Sequence, residues 1–112
     1  MKSGNIVLIP LPQSDSTIKR RPALLLKQMP PFNDWLLCGI STQIQQKVDG
    51  FDRLLESDAN YFPQTGLQRT SLIRLGFLAV VPKIQIIGSI GEIPDELLKE
   101  LLQTLSDFIQ PV

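Results

Sequence analysis

The densest group of side chains able to bind a phosphate is the basic triplet Lys19-Arg20-Arg21, which is followed by Pro22. Pro22 fixes its own backbone φ angle and biases Arg21 towards an extended conformation. An Arg held in this way presents a planar fork of N–H donors that matches the oxygens of a phosphate. The alternative interpretation is a solvated basic loop with no ligand.

Two further groups of polar side chains occur where predicted strands begin or end. The segment Ser41-Thr42-Gln43 directly follows the apolar run of residues 35–40, so hydroxyl and amide groups appear at the end of a buried strand. Arg69 precedes a strand that contains Arg74, and strand alternation places Arg74 on the face opposite Ser71. The alternatives are turn residues that hydrogen-bond locally and a cation that reaches into solvent.

Histidine is absent from the sequence, which removes the usual general acid or base and the commonest metal ligand near neutral pH. A Ser-His-Asp triad, a His-paired cysteine nucleophile and a His-based zinc site are therefore excluded. The carboxylates Asp49, Asp52, Glu56 and Asp58 lack metal-loop spacing, and the sequence has no glycine-rich phosphate loop. We expect no metal or other cofactor, so hydrolytic chemistry must use Arg, Ser/Thr, Tyr, Lys or carboxylates.

The overall charge gives no attraction for a polyanion, because 11 basic and 11 acidic residues give a formal net charge of zero. Contact with phosphate therefore depends on a local patch such as residues 19–21. The single cysteine, Cys38, lies in an apolar run and is expected to be a buried, unreactive thiol in a reducing compartment. Because no apolar stretch approaches the roughly 20 residues of a membrane span, we expect a cytoplasmic protein with no membrane partner.

Short β-rich segments precede a helical one, and together they must position these side chains. The predicted strands cover residues 5–10, 23–27, 35–40, 51–55, 70–75 and 84–90. The run of residues 35–40 is apolar throughout and predicts burial on both faces, whereas Gly88 predicts a bulge in the last strand. Turn-rich and proline-containing stretches separate the strands.

The last segment changes from strand periodicity to helix periodicity. Apolar residues recur at spacings of three and four from Leu97 to Ile109. Pro94 suits the first turn, and Asp95 and Glu96 lie where the helix dipole favours negative charge. Short strands followed by one helix predict a mainly β fold, a small β-barrel closed by a C-terminal helix, as one domain over residues 1–112.

Taken together, these segments resemble the MazF/PemK toxin family over almost the whole chain. The short first loop, residues 13–19, is similar to that of the PemK-like branch. The resemblance implies an SH3-like β-barrel with a C-terminal helix, a fold shared with CcdB, and a symmetric homodimer. The matching pieces are Gly4-Asn-Ile-Val-Leu, Lys19-Arg-Arg-Pro-Ala-Leu-Leu-Leu, Cys38-Gly-Ile-Ser-Thr-Gln, Asp49-Gly-Phe-Asp, Ser71-Leu-Ile-Arg-Leu and the Ile90-Gly turn into a Pro-Asp-Glu-Leu-Leu helix.

The resemblance also implies an activity, metal-independent cleavage of single-stranded RNA by a type II toxin. The 2′-hydroxyl of the RNA would attack the adjacent phosphate and leave a 2′,3′-cyclic phosphate and a 5′-hydroxyl. The catalytic Arg of the family matches Arg21, and its hydroxyl position matches Ser41. This chemistry accords with the absence of histidine, because an Arg stabilises developing negative charge without acting as a base. The RNA-binding residues implied are Lys19, Arg20, Thr42, Gln43, Arg69 and Arg74.

The implied partner is a MazE-like antitoxin whose disordered acidic tail competes with RNA, and operator DNA would be bound only through the antitoxin complex. The chain departs from the family pattern at Asn5, where Asp is usual, and at Gly76, where many members carry an acid. Loss of that acid removes a candidate proton-transfer group. Two alternatives therefore stay open: a non-catalytic or differently targeted toxin, such as a topoisomerase-directed protein like CcdB, and a generic SH3-like adaptor.

Overall fold

The protein is a six-stranded antiparallel sheet, curled into a half-barrel, with one helix at the C-terminus. The computed structural model describes residues 1–12 and 14–111, so Gln13 of the predicted first loop lies outside the described residues. The elements are β1 (Asn5–Pro12), β2 (Ile18–Met29), β3 (Asp34–Ser41), β4 (Arg53–Leu55), β5 (Ser71–Val81), β6 (Gly88–Glu92) and α1 (Asp95–Phe108). The sheet order is β4-β5-β3-β2-β1-β6. This arrangement confirms the predicted mainly β fold.

The helix α1 buries the apolar side that its periodicity predicts. Its buried residues are Leu97, Leu98, Leu101 and Leu105, which belong to a core shared with the sheet. Burial of one such Leu contributes about 1.5–3 kcal/mol, so these contacts outweigh the intrinsic helix propensity of a 14-residue segment. Pro94 is the N-cap rather than a residue of the first turn, and Asp95 and Glu96 follow it. Within the described residues, no helix has the length and apolar character to cross a membrane.

Strand alternation divides the apolar residues of β2 and β3 between two cores. In β2, Leu24 and Leu26 point into the larger core beneath α1, whereas Ala23 and Leu25 point into a smaller core on the other face. The smaller core also contains Val7, Trp35, Leu37 and Ile86. The predicted burial of β3 on both faces is therefore confirmed, as is burial of Cys38, which is 0% exposed.

Several element boundaries differ from the prediction. β2 begins at Ile18, so the basic triplet lies within a strand. That strand pairs with β1 up to the pair formed by Pro12 and Ile18. The predicted strand at residues 84–90 is wrong in its first half, where a 3-10 helix spans Lys83–Gln85 and Ile86 enters the smaller core. Pro82 favours a turn at this point. The turn also leads the chain to the edge of β1, where β6 pairs.

The predicted bulge at Gly88 is displaced, because Gly88 pairs normally with Leu8. The register of β6 instead shifts between Ile6 and Val7, whose partners are Gly91 and Ser89. A larger irregularity occurs in β5, which runs six residues beyond the predicted end at Leu75. There Gly39 pairs with Arg74 but Cys38 pairs with Leu78, so residues 75–77 form an extra loop within the strand.

Candidate functional site

A groove of about 390 Å³ crosses β2, β3 and β5 on the face that carries the smaller core. Its polar side chains are Arg21, Ser41 and Arg74, and Phe77 is its aromatic residue. The groove thus contains two cations and no acid among the described residues that line it, so its local potential is positive although the chain is neutral. The remaining lining residues are Ile9, Leu11, Pro22, Leu37, Gly39, Ile40, Leu78 and Ala79.

Strand register explains why residues so far apart in sequence meet here. Ala23 pairs with Gly39, and Gly39 pairs with Arg74, so these three positions share one face of the sheet. Two residues further along that face, β2 presents Arg21 and β3 presents Ser41. Neighbouring strands lie about 4.8 Å apart, so the three side chains sit on consecutive strands at a separation that one or two phosphates can span.

Arg21 is exposed and lies opposite Ile9 in the β1–β2 ladder. Pro22 follows it in the strand and restricts its backbone, as the sequence predicts. In the described part of the chain, neither Arg21 nor Arg74 takes part in a salt bridge. Both guanidinium groups therefore keep their N–H donors available for an anion.

Ser41 is half-buried at the last position of β3. Its Oγ accepts a hydrogen bond from the main-chain N–H of Gln43 at 3.0 Å. Because this bond uses a lone pair, the hydroxyl hydrogen stays available to donate to an oxygen in the groove. Thr42 is exposed in the loop beyond and does not line the groove, so the geometry favours Ser41 as the hydroxyl of the site.

Arg74 is half-buried in β5. Its guanidinium carbon lies 3.8 Å from the centroid of the Phe77 ring. This cation–π contact places the guanidinium over the ring, and its N–H donors make no salt bridge within the described residues. The extra residues 75–77 make the contact possible, because they bring Phe77 against Gly39, the residue of β3 that pairs with Arg74.

The other predicted RNA-binding residues do not line the groove in the described structure. Lys19 and Arg20 are exposed on β2, where alternation places Lys19 on the face of Arg21 and Arg20 on the opposite face. Gln43 accepts a bond from the Gln45 side chain at 2.8 Å. Arg69 is exposed in the segment before β5. These positions lie outside the lining of the groove, and their contact with RNA stays a prediction.

Neither departure from the family pattern lies in the groove. The Asn5 Oδ1 accepts the main-chain N–H of Lys2 at 3.0 Å, a turn contact that an Asp carboxylate would also make. Gly76 belongs to the extra loop of β5, where an added Cβ would lie 3.6 Å from Cε2 of Phe51. A side chain at position 76 would thus start in ordinary contact with Phe51, which is not a groove residue.

A second cleft, of about 750 Å³, lies between residues 48–51 and the C-terminal end of α1. Its lining includes Asp49 and Asp107 and no cation among the described residues, so it would repel a phosphate. Phe51 and Phe108 form its apolar part, with ring centroids 4.7 Å apart. The smaller groove, with Arg21 and Arg74, is therefore the better candidate for an anionic ligand. No group of three His, Cys, Asp or Glu side chains suited to a metal ion occurs among residues 1–12 and 14–111.

Two residues near the site were missed from the sequence. The sequence pattern does not identify Phe77, since its place beside Arg74 depends on the irregularity in β5. Asp52 seemed to be one of several scattered acids, yet its buried carboxylate accepts the N–H groups of Leu75 at 3.1 Å and of Val48 at 3.0 Å. The sequence shows only that Asp52 lies between Phe51 and Arg53, and these neighbours do not identify a partner for its carboxylate.

Comparison with known proteins bears on the family and the fold. The profile of the family described as PemK-like, MazF-like toxin of type II toxin–antitoxin system matches residues 2–109. Among solved structures, the Mycobacterium tuberculosis toxin MazF-mt6 is similar, with a TM-score of 0.67 and 17% sequence identity over 92% of this chain and 93% of that chain. No curated protein sequence matches the chain.

The structural likeness, at 17% identity, bears on the fold alone and shows that this chain has the fold of the MazF toxin. The profile match also shows the family, because it extends to residue 109 and so covers all the strands and α1. The predicted family resemblance is thereby confirmed. The chain belongs to the PemK-like, MazF-like toxin family of type II toxin–antitoxin systems.

Proposed function

We propose that this protein is an endoribonuclease toxin that cleaves single-stranded RNA without a metal ion. The observation that carries the proposal is the convergence of Arg21, Ser41 and Arg74 in one groove that holds no acid among its described lining residues. Membership of the toxin family supports it, because endoribonuclease activity is general among MazF toxins.

In the proposed reaction the 2′-hydroxyl oxygen of the RNA attacks the adjacent phosphorus and its proton passes to water. The P–O5′ bond breaks as the new P–O2′ bond forms, and the leaving O5′ oxygen takes a proton from water, so the products are a 2′,3′-cyclic phosphate and a 5′-hydroxyl. Arg21 donates to the non-bridging oxygens, where negative charge grows in the pentacoordinate state. The Ser41 hydroxyl donates to one of these oxygens, and Arg74 binds a neighbouring phosphate.

The proposal extends to assembly and partners. A homodimer is proposed because large apolar side chains, among them Phe108 and Ile109 at the end of α1, are exposed. An antitoxin with an acidic disordered tail would compete with RNA for Arg21 and Arg74, and would carry any contact with operator DNA. Action on mRNA places the protein in the cytoplasm.

The test is incubation of the purified protein with mixed-sequence single-stranded RNA in excess chelator, followed by mapping of both new ends. We expect cleavage with cyclic-phosphate and 5′-hydroxyl ends, lost in the Arg21→Ala variant. If the wild-type protein arrests growth and binds an antitoxin but leaves RNA intact, the proposal is wrong and a toxin with another target is indicated.

A further inference from the structure

We propose that the exposed ring of Phe77 is the stacking platform for one base of the RNA, and so helps to determine which sequence is bound. This inference rests on the proposed function. Phe77 is 58% exposed although it lines the groove together with Arg21, Ser41 and Arg74. An aromatic ring left open to solvent beside two cations has the composition of a single-strand binding site, in which bases stack on aromatic side chains and cations follow the backbone.

The Phe77 side chain is held where it leaves the backbone, and most of it stays exposed to solvent. A Cβ added to Gly39 would lie 3.5 Å from the Phe77 Cβ and 3.9 Å from its Cδ2, so the side chain crosses β3 in contact with this glycine. Gly39 is also the residue that pairs with Arg74. The root of Phe77 is therefore held against the sheet, and a base that stacks on its exposed part meets a surface that loses little freedom on binding.

Arg74 extends this platform and links it to the backbone site. Its guanidinium carbon is 3.8 Å from the ring centroid, so the cation lies over one face of the ring. The N–H donors of a guanidinium lie in its plane and point outwards, which leaves them free to bind phosphate. Ring and cation together place one base and one phosphate in a fixed relation, as recognition of a single nucleotide requires.

A second copy of the chain is the competing occupant, because Leu78 and Val80 are also exposed along β5. Contact of another protomer with the ring would bury Arg74 as well. Arg74 has no salt-bridge partner among the described residues, and burial of an unpaired charge is costly. An RNA strand avoids this cost because its phosphate accompanies its base.

The experiment measures binding of a fluorescein-labelled 12-nucleotide RNA, made uncleavable by 2′-O-methyl groups, to wild-type protein and to Phe77→Ala, Phe77→Leu, Phe77→Tyr and Phe77→Trp. We expect Ala and Leu to weaken binding about five- to a hundredfold, and Tyr and Trp to retain it, because stacking needs an aromatic face. The salt dependence of binding should keep the wild-type slope, because no phosphate contact is lost. Val80→Ala, on the same strand but outside the groove lining, is the matched control and should bind normally.

A series of RNAs with one abasic position each identifies the stacked base. At that position the abasic RNA should bind the wild-type protein weakly, while Phe77→Ala should bind abasic and intact RNA equally well. Circular dichroism and light scattering verify folding and oligomeric state for each variant.

Four outcomes overturn the inference. If Phe77→Leu binds RNA as well as Phe77→Tyr and Phe77→Trp, the contact is simple apolar packing. If the Phe77 variants lose the dimer without losing RNA affinity, the ring contacts a second copy of the chain. Wild-type binding that Phe77→Ala leaves unchanged removes this inference alone and leaves the proposed function standing. Wild-type protein that binds no RNA removes the proposed function and this inference with it.

Discussion

The carboxylate of Asp52 accepts the main-chain N–H of Leu75 at 3.1 Å, at the point where β5 leaves its ladder with β3. An N–H in such an irregularity has no strand partner, and when buried it needs another acceptor. The second oxygen of Asp52 accepts the N–H of Val48, so both sides of this 7%-exposed carboxylate are occupied. Asp52 therefore stabilises the loop that places Arg74 beside Phe77.

The first prediction is that Asp52→Asn destabilises the fold by about 1–3 kcal/mol, because an amide has only one acceptor oxygen and leaves a buried N–H unpaired. Urea denaturation measures the change in free energy of unfolding. Asp49→Asn is the control, since the Asp49 side chain is 96% exposed and its loss should cost less than about 0.5 kcal/mol. Equal stability of the two variants would show that the Asp52 contacts contribute nothing.

The second prediction concerns Cys38 and alkaline pH. Burial, with a smaller contribution from the nearby Asp52 charge, raises the pKa of the Cys38 thiol from 9.0 to about 12. Between pH 9 and 12 the unfolded chain releases this proton while the folded chain keeps it, so the free energy of unfolding falls as pH rises. The slope contributed by Cys38 is at most about 1.4 kcal/mol per pH unit.

Cys38→Ala removes this contribution and provides the comparison. The variant should be less stable than wild type at pH 8, because it loses a buried sulfur, and the difference should narrow between pH 9 and 11. Urea denaturation of both proteins across this range measures the effect. Parallel curves would mean that the thiol ionises in the folded state as readily as in the unfolded chain.

The third prediction uses two glycines of β6. A Cβ on Gly91 would collide with the backbone of Gln64 and Thr65, whereas a Cβ on Gly88 would meet nothing within 4 Å. Gly91→Ala should therefore cost about 3 kcal/mol, near the upper end for overpacking, and Gly88→Ala less than about 0.5 kcal/mol. Thermal unfolding of the two variants tests this, and a similar melting temperature for both would contradict the close backbone approach.

Sequence reasoning succeeded where a feature depends on local pattern. The periodicity from Leu97 to Ile109 located α1, and the apolar run at residues 35–40 predicted β3 and its burial on both faces. These features need no knowledge of distant contacts.

It failed where distant backbone decides the outcome. The length of β5 and the loop at residues 75–77 depend on Asp52, which is 23 residues away from Leu75 in sequence. The position of β6 is constrained by the close approach of Gly91 to Thr65. Neither contact has a local signature, so the environment of Arg74, including Phe77, could not be predicted.

The last prediction separates charge from geometry at the site. Arg21→Lys keeps the positive charge but loses the planar fork, so kcat for RNA cleavage should fall much more than RNA affinity does. Arg21→Ala should abolish detectable cleavage, because loss of one donor to a developing oxyanion already costs about 3–4 kcal/mol in transition-state stabilisation. Arg20→Lys is the control, since Arg20 is adjacent in sequence but does not line the groove.

Ser41→Ala should be milder, with cleavage reduced about tenfold to a hundredfold, because a hydrogen bond to a charged group contributes about 1.5–3 kcal/mol. Thr42→Ala should leave cleavage near the wild-type rate, since Thr42 is exposed outside the groove. Single-turnover cleavage and separate binding measurements give kcat and affinity for all five variants. If Thr42→Ala is the slower of the two hydroxyl variants, or if Arg21→Ala still cleaves RNA, the reacting phosphate does not lie between Arg21 and Ser41 and the site must be placed elsewhere.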